Sequence, residues 1–202
     1  MKAKALATCA LLGGIIAARS QGTVNFNNNG LITGNPPSVL VYYAFPPGCG
    51  APLVGTNFLA QLYYGAPGST ESSLTPVASA PATFRMPTTR IPGTWIGGTR
   101  TLVGFTENMA VSLQVRVWNS VGFNGEFFPT WEMAFTAYNG LNTGKSSVFS
   151  YYIPSPGSPP SAFLMSGFQG FSLVDCPEPS PYLLISLGLC LSFLFKRCVA
   201  RE

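Results

Sequence analysis

Ala110-Val111-Ser112-Leu113-Gln114-Val115-Arg116-Val117-Trp118 decides the fold. Apolar Val111, Leu113, Val115 and Val117 alternate with Ser112, Gln114, Arg116 and Trp118. That period of two sends the two sets to opposite faces of a strand. The spacing predicts a half-buried strand. Further stretches rich in Val, Phe, Tyr and Thr lie at 23–27, 39–45, 58–64, 101–105, 131–137, 147–153 and 167–174, bounded by Gly, Pro and Asn. No comparable helical period stands out. About eight strands in a body of about 155 residues, 21–175, predict an all-β fold, an antiparallel β-sandwich of the immunoglobulin-like or jelly-roll type. The immunoglobulin spacing of cysteine, tryptophan and cysteine is absent. Residues 154–160, rich in Pro, read as a stiff loop before the last strand.

Composition agrees with a packed body. Only 9% of the 202 residues are charged and 13% are aromatic, which argues against disorder. The net charge of +4 comes from the ends. Within 21–175, Arg85, Arg90, Arg100, Arg116 and Lys145 balance Glu71, Glu107, Glu126, Glu132 and Asp175. A neutral body offers no electrostatic footprint for nucleic acid, so none is expected as a partner.

Both ends read as targeting segments. Residues 1–20 have the layout of a signal peptide: basic Lys2 and Lys4, an apolar run at 5–18, then Ala18-Arg19-Ser20, with Gln21 as the expected mature start. Residues 176–202 begin with Cys176 and Pro177-Glu178-Pro179, continue into an apolar run at 182–195 and reach Lys196-Arg197. Fourteen residues of helix would be about 21 Å long, against a hydrocarbon core of about 30 Å. Snorkelling by Lys196 and Arg197 and local thinning make 182–195 a short transmembrane helix. Basic residues beyond each apolar run place both ends on the cytoplasmic side and the body outside.

Pro177-Glu178-Pro179, the apolar run and the basic stop, in that order, resemble the PEP-CTERM sorting signal of exported bacterial proteins. The resemblance covers residues 176–202 only. It implies recognition by an exosortase, a membrane transpeptidase that removes the tail, after signal peptidase has acted at the other end. The expected location is then the inner membrane before processing and the cell surface or extracellular matrix afterwards. Pro181 directly after the motif, and Cys198, Val199 and Ala200 within the basic cluster, depart from the family pattern. Gly22-Thr23-Val24-Asn25-Phe26-Asn27-Asn28 also looks like the opening of many such proteins, a layout that carries no activity.

Cys49 and Cys176 are the cysteines of the body and its exit. An oxidising exterior permits a disulfide between them; two unpaired thiols are the alternative. A bridge would contribute roughly 4–5 kcal/mol in the chain-entropy picture.

Catalytic chemistry finds little to use. The chain has no histidine, the usual general base and metal ligand. The body acids form no close ligand set, so no metal or cofactor is expected. Glu126 and Glu132, around Phe127-Phe128-Pro129 and Trp131, are the nearest thing to a glycosidase pair; two exposed loop acids are the simpler reading. The expectation is a non-catalytic protein. The alternative is a carbohydrate-binding surface module, contacting extracellular polysaccharide through outward members of Tyr42, Tyr43, Tyr63, Tyr64, Trp95, Trp118, Trp131, Tyr138, Tyr151 and Tyr152.

Overall fold

The computed structural model describes residues 21–32, 39–44, 50–88, 91–122 and 124–174. The signal peptide 1–20, the sorting segment 176–202 with Pro177, Glu178, Pro179, Lys196, Arg197 and the helix 182–195, and both Cys49 and Cys176 lie outside the described residues. Among the described residues no helix is long and apolar enough to cross a membrane.

In chain order the elements are β1 (Gln21–Asn27), β2 (Tyr42–Ala44), β3 (Ala51–Pro52), β4 (Phe58–Gly65), β5 (Thr75–Pro76), β6 (Ala82–Thr83), β7 (Ile96–Thr106), β8 (Ala110–Asn119), α1 (Trp131–Ala137), β9 (Thr143–Lys145), β10 (Phe149–Tyr152) and β11 (Ser172–Val174). The all-β character holds. β1 and β7 form an antiparallel ribbon, and the other strands form a larger sheet in the order β3-β2-β11-β9-β8-β4-β5. Within that sheet, β10 joins β9 along one edge of β8, and β6 joins β5 along the outer edge of β4. The pairing is not antiparallel throughout, because β11 runs parallel to β2, Leu173 against Tyr43.

The main core lies between ribbon and sheet. Val24, Phe26 and Leu102 of the ribbon pack with Ala60, Leu62, Val111, Leu113, Val115 and Val117. Trp95 sits at its centre against Phe26, Phe84 and Phe168, with ring centroids 5.3, 5.5 and 5.6 Å away. Gly97 lets the ribbon close here. A Cβ on it would lie 2.8 Å from the Phe26 carbonyl oxygen and collide with the Phe26 ring.

Two sequence expectations fail, for one reason. Residues 131–137 are a helix and not a strand. Thr130 caps it by accepting from the Met133 N–H, and Asn139 and Gly140, both at positive φ, follow its end. Trp131 and Ala134 form its buried side and pack with Leu59, Trp118 and Phe128 in a second small core. That core covers the face of β8 expected to meet solvent. Ser112, Gln114, Arg116 and Trp118 are therefore all buried, and β8 is enclosed on both sides. The stretch at 167–174 contributes a strand only at its end, β11.

Candidate functional site

The covered polar face of β8 holds the densest cluster of functional groups. β4 and β8 set it out by register, with Tyr63 opposite Gln114 and Gln61 opposite Arg116. Arg116 is the hub. Its guanidinium lies 4.0 Å from the Tyr63 ring centre and 4.8 Å from that of Trp131. Stacking on two rings compensates for lost hydration and lets a cation sit only 7% exposed. Nε donates to Gln114 Oε1 at 3.0 Å, Nη1 to Glu132 Oε1 at 3.1 Å and Nη2 to the Glu71 carbonyl at 3.2 Å.

α1 positions Glu132 in its first turn, where a carboxylate also suits the positive end of the helix. Its Oε1 additionally accepts from the Tyr63 hydroxyl at 2.9 Å. Burial, then the hydrogen bond to Glu132 and its charge, push the Tyr63 phenol well above its ordinary value, against the opposing charge and hydrogen bond of Arg116. On the other side a short turn, Glu71–Ser73, closes over the cluster. Lys145 Nζ lies 2.6 Å from Glu71 Oε1. Burial alone would raise the Glu71 carboxyl. The bond and charge of Lys145, then the Gln114 bond and the Arg116 charge, outweigh it and leave the group below the usual range.

Thr70, Glu71, Ser72, Leu74, Arg116 and Glu132 line a cavity of about 500 Å³ above this cluster. Glu126 is not among them. It lies on an exposed turn in which Gly122 N–H donates to its carbonyl at 2.7 Å. The two acids expected as a loop pair thus have different settings: one exposed on a turn, one on a helix and bonded to Arg116 and Tyr63. Among the described residues no group of three His, Cys, Asp or Glu side chains is placed to hold a metal ion.

The aromatic side chains divide between interior and surface. Trp95, Trp118 and Trp131 are interior, and Trp118 Nε1 donates to the Phe128 carbonyl at 2.9 Å. Of the adjacent tyrosines, Tyr63 and Tyr151 are buried while Tyr152 is 60% exposed. Sequence reasoning missed Arg116, which alternation assigned to solvent, and Gln114 and Lys145. The available signal was Trp118 on the same face: a strand whose polar side carries tryptophan is a strand with a cover.

No family model matches the chain, no curated protein matches it in sequence, and no solved structure matches its fold.

Proposed function

We propose that this is an exported, surface-sorted, non-catalytic protein of the bacterial cell envelope or extracellular matrix, processed by an exosortase at Pro177-Glu178-Pro179. The sorting half of this reading rests on the order of motif, apolar run and basic stop in residues 176–202. The observation that supports a non-catalytic body is the state of Glu132. The acid best placed for glycoside chemistry is held by the Arg116 guanidinium and the Tyr63 hydroxyl, and it shares its cavity with Glu71 and not with Glu126. A glycosidase needs two carboxyl groups across one bond, one of them able to deliver a proton. The other carboxyl lining this cavity, Glu71, is paired with Lys145 at 2.6 Å and held below the usual carboxylate range, so it is poorly suited to delivering a proton.

Replacing Pro177, Glu178 and Pro179 together by alanine should leave a longer form retained in the inner membrane. Fractionation and immunoblotting of cells carrying the exosortase read this out. Unchanged delivery to the surface overturns the sorting assignment. The aromatic carbohydrate-binding alternative would rest on Tyr152, which is exposed, with the half-buried Tyr42, Tyr43, Tyr64 and Tyr138, since the tryptophans are interior.

A further inference from the structure

We infer that the cavity over Arg116 is a binding site for one uncharged sugar unit, a role independent of any sorting or trimming of the chain. Charge is the first argument. Arg116 pairs with Glu132 at 3.1 Å and Lys145 with Glu71 at 2.6 Å, so the site holds two cations and two anions in mutual contact. An anionic ligand reaching Arg116 meets Glu132, and a cationic one reaching Glu132 meets Arg116. A hydroxyl donates and accepts at once, so it satisfies both neighbours without a charge.

The remaining hydrogen-bonding capacity is the second argument. Of the five guanidinium N–H groups of Arg116, three go to Gln114, Glu132 and the Glu71 carbonyl and one bears on the Tyr63 hydroxyl, which leaves one donor. Tyr63 and Arg116 both meet Glu132 at Oε1, and Oε2 takes no hydrogen bond from the described residues. Thr70 Oγ1 and Ser72 Oγ, 3.2 Å apart on the rim, each donate or accept. A guanidinium donor, a carboxylate acceptor and a pair of hydroxyls match the neighbouring hydroxyls of a sugar ring. Leu74 supplies an apolar wall for its C–H face. Rigidity is the third. The guanidinium is clamped between two rings and three acceptors, so little side-chain freedom remains to be lost on binding. The volume of about 500 Å³ lies within the ~300–1,000 Å³ of small-molecule sites.

The full chain, purified in a zwitterionic detergent without a sugar headgroup, is titrated with glucose, galactose, mannose and N-acetylglucosamine by calorimetry. Glucuronate and glucosamine serve as acidic and basic counterparts. At least one neutral sugar should bind saturably and at least about tenfold more tightly than either charged one, the scale of one unfavourable charge contact. The Thr70→Ala/Ser72→Ala double variant, altered only on the exposed rim, should lose about fivefold or more, the scale of one or two hydrogen bonds. Glu132→Gln should weaken binding similarly. The rim variant carries the test if Glu132→Gln disturbs the fold. No saturable binding across the neutral panel, tighter binding of a charged sugar, or unaltered affinity in the folded rim variant each overturns the assignment.

Discussion

Arg116 and Asn28 show where single residues carry the structure. Arg116→Ala removes two ring contacts, leaves Gln114 Oε1 and the Glu71 carbonyl without this donor, and leaves Glu132 its bond from Tyr63. Glu132 is more than half exposed, and water can replace what it loses. We expect a cost of about 2–4 kcal/mol for Arg116→Ala and about 1 kcal/mol or less for Glu132→Gln, read as shifts in urea midpoint at constant slope. Equal costs would mean that the ion pair, and not the stacking, holds the cation. Asn28 is fully buried. It donates to the Val39 and Gly93 carbonyls at 2.9 and 3.1 Å and accepts from the Trp95 N–H at 3.0 Å. Asn28→Asp keeps the shape but loses both donors and buries a charge. It should cost at least about 3 kcal/mol. Neither role was legible in the sequence. Arg116 sits at the polar phase of an alternating run, and Asn28 looks like a turn residue after a strand. Burial of a polar side chain depends on which distant segment covers it, and local pattern carries no record of that.

Titration belongs to the same scale. Glu71 is held below its ordinary range, so its contribution is fully present above the unfolded value, about pH 4.3, and lost as pH falls through the lower folded value. Glu71→Gln should therefore flatten the acid side of the stability profile, measured by urea midpoints from about pH 5 downwards. An unchanged acid slope rules the pair out as a contributor. Tyr151 titrates in the opposite sense. Burial pushes its phenol up to about 12, so its contribution is complete below about pH 10 and lost between there and about 12. Phenolate absorbance should show a late-titrating fraction that shrinks by one tyrosine in Tyr151→Phe, with Tyr63 still titrating late.

At the scale of elements, most strands were readable and the helix was not. β8 and β4 declare themselves by alternation. α1 has only seven residues, too few for a hydrophobic period to stand against the strand preference of Trp, Phe and Tyr. The signals that were present are punctuation: Thr130 as cap, Glu132 in the first turn, Asn139-Gly140 as stop, and Trp131, Ala134 and Tyr138 at positions i, i+3 and i+7. This short helix depends on its cap and on the Trp118 platform beneath it. Thr130→Ala should cost about 1 kcal/mol and Thr130→Ser much less. Hydrogen exchange of the amides from Glu132 to Tyr138 should accelerate in Thr130→Ala while β8 stays protected. Uniform acceleration would show that helix and sheet open as one unit.

For the whole molecule, the question is how much chain the fold can lose. The parallel pairing of β2 with β11 brings residues 42–44 beside residues 172–174, and no local pattern announces such a contact. It fixes limits for trimming. By Val24 and Phe26 in β1 the chain is already deep in the main core. β11 ends at Val174, before Cys176 and Pro177. Cleavage after Ser20, together with removal of the segment from the Pro177-Glu178-Pro179 motif onward, would leave every described strand intact. Protein recovered from the cell surface should therefore have an intact mass that begins at Gln21 and ends near the motif. A start beyond Phe26 would remove a ring that Trp95 packs against, at about 3–5 kcal/mol. Recovery of a stable, folded protein lacking residues 21–26 would refute the ribbon's place in the core, whatever enzyme made the cut.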